Sequence, residues 1–143
     1  MARILLHCER ARKVETGGIL IGRYSKLGDQ AFVTAVTGPP TDSVATRQSF
    51  VRGIRGLQRH ISRAWLRREF YLGEWHFHPM AAPYPSRRDL AQIKTFALDP
   101  DYACPEPILI VIGGDPMSRW DMWAGVVMGG GIRRLRPWIP NAQ

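Results

Sequence analysis

The apolar residues of this chain fall into short runs bounded by glycine and proline, a pattern typical of strands in a small sheet. Gly17-Gly18 predict an interruption before the first strand, and Gly28-Asp29 predict a turn after it. Residues 108–112 are continuously apolar, as expected for a central strand covered on both faces. Strands are predicted at residues 19–21, 31–37, 70–77, 108–112, 120–128 and 132–138.

Helical periodicity is clearest in residues 50–65, where apolar residues recur at intervals of 4, 3, 4 and 4. This apolar stripe consists of Phe50, Ile54, Leu57, Ile61 and Trp65. Arginines fall largely off the stripe, at positions 52, 55, 59, 63 and 67, which predicts a basic outer face on this helix. A second helix is predicted at about residues 87–97 and a short one at residues 4–12. Together the elements predict an α/β (α+β) fold, with a mixed sheet flanked by two main helices and a short N-terminal helix.

Composition predicts a globular protein, because 45% of the 143 residues are hydrophobic and 22% are charged. A chain of this length predicts one domain. No apolar run approaches the roughly 18 residues of a membrane span, and residues 1–6 are too short for a secretory signal, so we expect a cytoplasmic protein with no membrane partner. Cys8 and Cys104 lack any CxxC spacing, and we expect both to be buried structural thiols.

The net charge of +8 arises from 20 Lys and Arg against 12 Asp and Glu. Such a charge is compatible with nucleic acid, an acidic protein partner or simply a solvated basic face. No nucleic-acid-binding motif accompanies it, and the basic residues do not alternate with a regular aromatic series. The pattern therefore argues against nucleic acid and leaves the other two interpretations open.

The chemistry of the chain is concentrated in one run, which begins His76-Phe77-His78-Pro79 and reaches Asp89 ten residues later. Because side chains alternate across a strand, His76 and His78 point to the same side. The loop that follows contains three prolines, and the next helix begins close to Asp89. Two imidazoles and a carboxylate form the ligand set of a zinc ion that keeps one position open for water, so the run predicts a small zinc hydrolase.

Each part of this run also has a structural explanation. Ser86 followed three residues later by Asp89 is the pattern of a capping box, in which both side chains bond free amides at a helix start. Two histidines on one face of a strand can occur by chance and hydrogen-bond to other groups. Neither explanation accounts for the whole run, which makes the combination more specific than its parts.

The spacing His-x-His-Pro, six residues, Ser-x-x-Asp resembles the JAMM motif of the JAB/MPN metalloprotease family. The family also has a glutamate before a glycine-rich first strand, and residues 15–22 (Glu-Thr-Gly-Gly-Ile-Leu-Ile-Gly) are similar to it. Residues 72–75 resemble the strand that leads into the family's histidines. The resemblance implies a cytidine-deaminase-like MPN fold with a mostly antiparallel sheet, and a single catalytic domain over residues 1–143.

Carried over residue by residue, the resemblance implies that zinc, one ion per chain, is bound by His76, His78 and Asp89. It implies that Glu15 is the general acid/base and that Ser86 stabilises the tetrahedral intermediate. Glu74 shares a strand face with both histidines and is an alternative base. The family often has Ser or Thr between the histidines, where this chain has Phe77, whose side chain is predicted to point away from the metal and pack against a helix.

The resemblance further implies a bacterial stand-alone isopeptidase that cleaves after the C-terminus of a ubiquitin-like protein, in deconjugation or precursor processing. Expected partners are that protein or its conjugate, and ubiquitin-transfer-like enzymes from the same operon in an antiphage system. Three alternatives remain at this point. They are a zinc hydrolase of small amides, a non-catalytic scaffold, and a basic nucleic-acid-binding module with incidental histidines.

Overall fold

A computed structural model describes residues 1–139. In chain order the helices are α1 (Ala2–Ala11), α2 (Leu57–Trp65) and α3 (Arg87–Leu98). The strands are β1 (Thr16–Tyr24), β2 (Ala31–Val36), β3 (Val44–Ala45), β4 (Phe50–Val51), β5 (Phe70–Pro79), β6 (Ile108–Gly114), β7 (Trp120–Met128) and β8 (Gly131–Arg134). The predicted domain spans residues 1–143, so its last four residues lie outside the described part.

A six-stranded sheet with the order β2-β1-β5-β6-β7-β8 forms the centre of the molecule. Only β5 and β6 pair in parallel, and every other neighbouring pair in this sheet is antiparallel. The parallel pair arises because α3 carries the chain back between these two strands. Strands β3 and β4 form a separate two-stranded hairpin. The predicted α/β (α+β) class with a mixed, mostly antiparallel sheet is confirmed.

The sheet separates α1 from the other two helices. Ile4 and Cys8 of α1 belong to one core cluster with Trp75 and Phe77 of β5. Helices α2 and α3 pack on the opposite face in two further clusters, one around Tyr71 and the other around Ile93 and Val111. The Phe77 side chain is fully buried on the α1 side, as expected from strand alternation. Side chains at even positions near the end of β5 therefore face α2 and α3.

The predicted long helix over residues 50–65 is wrong in its first half, because α2 begins only at Leu57. Phe50 lies in β4, and Ile54 lies outside any helix with 71% of its surface exposed. Asp42 explains the difference, since its carboxylate accepts hydrogen bonds from the amides of Ile54 and Arg55 and holds this segment in a loop. The helical spacing of the apolar residues before Leu57 is thus coincidental and does not correspond to a helix.

The expected break at Gly17-Gly18 is also wrong, because both residues lie inside β1. A side chain on Gly17 would overlap the carbonyl oxygen of Trp75, and one on Gly18 would overlap that of Thr37. These glycines therefore allow neighbouring backbone to approach β1 closely, and they do not interrupt the strand.

The last predicted strand, over residues 132–138, is shorter in the structure. Strand β8 ends at Arg134, one residue before the amide of Leu135 makes a last bond of 2.9 Å to Ala124 of β7, and Trp138 lies beyond it with an exposed side chain. Pro137 has no amide to continue a ladder. Among the described residues, no helix is both long and apolar enough to cross a membrane.

The two cysteines are buried and unpaired, as expected, and lie in different core clusters. Burial raises the pKa of the Cys8 thiol to about 12, and burial likewise raises the pKa of Cys104. Since the thiolate is the reactive form, we expect iodoacetamide to modify neither thiol appreciably at mildly alkaline pH in the folded protein. Intact-mass spectrometry should show two adducts only after unfolding in guanidinium chloride. Rapid double modification of the folded protein would contradict this burial.

Candidate functional site

His76 and His78 lie at the carboxyl end of β5, in the middle of the sheet. Their side chains turn toward α3, and both are buried. In the parallel pairing with β6, His78 stands opposite Gly113. A side chain on Gly113 would overlap the carbonyl oxygen of Ala81, so this glycine lets the loop after β5 pass close to the histidines. The strand and its neighbours therefore hold both imidazoles in a fixed position.

Asp89 reaches the histidines from the first turn of α3. Its Oδ1 lies 3.0 Å from Nδ1 of His76, and its Oδ2 lies 3.4 Å from Nε2 of His78. Ser86 is the N-cap of α3 and forms the predicted capping box with Asp89. The amide and hydroxyl of Ser86 donate to Asp89 Oδ2 at 2.7 and 2.8 Å, and the amide of Asp89 donates back to Ser86 Oγ at 3.1 Å. The Ser86–Asp89 pair thus caps α3 and also holds the Asp89 carboxylate beside the histidines.

These three side chains fit a metal ion. One ligand atom from each of His76, His78 and Asp89 lies within 4.8 Å of the other two, and all three residues are buried. Burial opposes ionisation of Asp89, but hydrogen bonds from the histidines and Ser86 hold its pKa well below the usual range. The carboxylate is therefore kept in the form that binds a cation. A mixed set of imidazole nitrogen and carboxylate oxygen suits a divalent transition metal.

Glu15 immediately precedes β1, and the pairing of β1 with β5 brings it to the same place. Thr16 stands opposite Phe77 and Gly17 opposite His76, so Glu15 falls beside the end of the histidine strand. Its amide donates to the carbonyl oxygen of Thr46 at 2.8 Å. Burial raises the pKa of the Glu15 carboxyl, and the positive charge of His78 partly offsets that rise. A carboxylate poised to exchange a proton near a metal site suits general acid/base chemistry.

A single cleft of about 1010 Å³ opens onto Glu15, His78, Ser86 and Asp89. The hairpin of β3 and β4 forms one wall, from which Phe50 packs edge-on against His76 with ring centroids 5.6 Å apart. The sequence offered no local signal for this role of Phe50, because its spacing matched a helical stripe. Four of the five predicted site residues therefore line one cleft, and His76 lies next to it, in contact with Asp89 and Phe50.

Glu74, the alternative base, faces the same side but lies below the cleft and is only 1% exposed. Its carboxylate accepts hydrogen bonds from Nε of Arg52 and from the hydroxyl of Tyr71, both at 2.7 Å. Arg52, predicted to be on an outer helix face, is instead 6% exposed and also donates to the hydroxyl of Tyr102 at 2.6 Å. Burial raises the pKa of Glu74, and Arg52 opposes this rise. Glu74 is thus committed to an internal ion pair.

Comparison with known proteins gives consistent matches. The family described as prokaryotic homologs of the JAB domain matches residues 1–123. The chain is 41% identical over 124 residues to a CD-NTase/cGAS isopeptidase of Enterobacter hormaechei, covering 87% of this chain and 69% of that protein. It is 30% identical over 128 residues to the probable metalloprotease y4qB of Sinorhizobium fredii, covering 85% and 77% respectively.

Solved structures match the fold at lower identity. The solution structure of protein DSY2949 from Desulfitobacterium hafniense has a TM-score of 0.68 and 21% identity, covering 94% of this chain and 84% of that one. A protein from Salinibacter ruber has a TM-score of 0.62 and 19% identity, covering 98% and 87%.

Proposed function

Because this chain belongs to the family of prokaryotic homologs of the JAB domain, and is a hydrolytic, metalloprotease-like enzyme, we propose that it is a zinc-dependent isopeptidase. Its substrate is a conjugate or precursor of a ubiquitin-like protein, cut after that protein's C-terminus. One observation carries the proposal. Ligand atoms of His76, His78 and Asp89 lie within 4.8 Å of one another, and His78 and Asp89 line a cleft together with Glu15 and Ser86.

Each of the five residues has a distinct role in the proposed reaction. His76, His78 and Asp89 hold the zinc ion, which when bound supplies Lewis-acid chemistry by acidifying water and polarising the scissile carbonyl. Glu15 accepts the proton of the attacking water and later delivers it to the leaving amine. Its raised pKa supports the first step, since a more basic carboxylate accepts the proton of water more readily.

Ser86 donates its hydroxyl hydrogen to the oxyanion that forms at the scissile carbonyl. In the structure the Ser86 hydroxyl accepts a hydrogen bond from the amide of Asp89 and donates its one hydrogen to Asp89 Oδ2. In the proposed reaction this hydrogen turns from Asp89 to the oxyanion, while the bond from the Asp89 amide keeps Oγ in place at the start of α3. The substrate tail enters extended and adds to the edge of the β3–β4 hairpin, whose Phe50 borders the cleft.

The proposed partners follow from the family and from one relative. A protein named CD-NTase/cGAS isopeptidase is 41% identical, which supports a conjugate of the CD-NTase system as the substrate of this chain. We further propose that this chain acts in the cytoplasm, alongside ubiquitin-transfer-like enzymes of the same operon, as part of an antiphage system.

Elemental mass spectrometry of the purified protein tests the zinc centre. We expect about one zinc per chain, as for any open catalytic site, and its loss in His76→Ala and Asp89→Ala variants. His60→Ala is the matched control, because His60 is exposed on α2 and should leave the zinc content unchanged. Cleavage of ubiquitin-like fusions should stop on chelation and return with added zinc. A folded protein that neither contains zinc nor takes it up would refute the proposal, and turnover of small amides alone would identify a different hydrolase.

A further inference from the structure

Four basic side chains surround the cleft that holds the candidate metal site. They come from the end of α1, the turn between β3 and β4, and the start of α3. All four are exposed at the rim: Arg12, Lys13, Arg47 and Arg88. We call these four residues the basic rim. Segments far apart in sequence thus converge to place positive charge around one opening.

The basic rim is available for a ligand. Among the described residues, no ion pair includes any of its four members. Two of the acidic groups in the cleft are engaged elsewhere. Asp89 is bound by the histidines and Ser86, and Asp115 accepts from the amide of Met117 and the hydroxyl of Ser118. Glu15 is the third acid that lines the cleft, and it is the proposed general base.

The rim does not simply reflect the overall charge of +8. A second cleft of about 700 Å³, at the other end of β5, is lined by Asp101 and Glu106 and by no lysine or arginine. Two large clefts of one basic protein therefore have opposite charge. Of these two clefts, only the one where the proposed reaction takes place is lined by basic side chains.

Arg12 reaches the cleft because it ends α1. Its φ is 59°, and its amide donates to the carbonyl oxygen of Cys8 at 3.1 Å. The chain therefore leaves the helix at Arg12, where its side chain lines the cleft.

We propose that the basic rim binds an acidic segment of the substrate protein next to the bond that is cleaved. This inference rests on the proposed isopeptidase function and specifies its substrate: carboxylates lie within a few residues of the scissile bond, or on the surface that meets the rim. A protein segment fits better than nucleic acid. Four cations around one opening are fewer than the roughly 6–10 phosphate contacts of a typical nucleic-acid site, and the cations encircle a peptide-cleaving centre rather than forming a track.

Fluorescence anisotropy with short labelled peptides tests the rim without requiring turnover. The probes are alternating Glu-Gly, Ser-Gly and Lys-Gly peptides and a single-stranded oligonucleotide. We expect the Glu-Gly peptide to bind roughly tenfold more tightly than the Ser-Gly peptide at low ionic strength, and the preference to disappear in high salt. An Arg47→Glu, Arg88→Glu double variant should lose about tenfold in affinity. The control, Arg59→Glu with Arg63→Glu, makes the same charge change at exposed positions of α2 that do not line the cleft.

Each outcome decides the inference. Equal binding of Glu-Gly and Ser-Gly peptides, or equal losses in the test and control variants, would overturn it. So would loss of binding on chelation, which would mean that carboxylates bind the metal, or tighter binding of the oligonucleotide through the rim. Zinc content and fusion cleavage are measured on the same protein. A rim without acidic preference in an active zinc enzyme refutes this inference alone, whereas absence of zinc and cleavage refutes the proposed function.

Discussion

A Glu15→Gln variant is expected to lose cleavage of a ubiquitin-like fusion by about 10²- to 10⁴-fold while keeping its zinc and its fold. Glutamine has nearly the same shape but cannot accept the proton of the attacking water. The hydrogen bond that orients this segment is made by the amide of residue 15 to Thr46, so it survives the change. The loss corresponds to about 3–5 kcal/mol of transition-state stabilisation.

The measurement is kcat/KM for fusion cleavage, together with zinc content and thermal unfolding of the same sample. Glu9→Gln is the matched control, because Glu9 is exposed on α1 and does not line the cleft. Activity within threefold of the parent would show that another group is the base. Loss of zinc along with activity would instead mean that Glu15 supports the metal site.

An Arg52→Met variant is expected to lower the free energy of unfolding by about 3–5 kcal/mol. Methionine fills similar space, but it leaves the Glu74 carboxylate buried with only the Tyr71 hydroxyl as a partner. It also removes the donor to Tyr102 and the cation that lies 4.9 Å above the centre of the Phe96 ring. A small domain has only about 5–15 kcal/mol of stability, so the loss is a large part of the total.

Urea unfolding of three variants separates the ion pair from general packing effects. Adding Glu74→Gln to Arg52→Met removes the unpaired charge, and the double variant should be more stable than Arg52→Met alone. Arg59→Met makes the same substitution at an exposed position of α2 and should change stability by less than about 0.5 kcal/mol. A double variant less stable than Arg52→Met alone would contradict the unpaired buried charge as the cause of the loss.

The most predictable parts of the fold were those with regular local patterns. The strands around residues 108–112 and 120–128 and the helix beginning near Arg87 are present as the sequence indicates. Prediction failed for Arg52, which a helical stripe placed in solvent and the structure places in the core. Its burial depends on Glu74, a partner 22 positions away, and on Asp42, which keeps this segment out of α2. A local pattern carries no information about partners at such distances.

The sequence by itself determined the chemistry at one end of β5. Alternation along a strand places His76 and His78 on one side, and the Ser86-Asp89 pair starts a helix, because both effects depend only on neighbouring residues. The tertiary structure decided what surrounds them. Strand pairing brought Glu15 to the cleft, and the hairpin of β3 and β4 became its wall. Converging segments also placed Arg12, Arg47 and Arg88 around one opening. Such contacts depend on register and packing between distant segments, and periodicity within a segment cannot specify them.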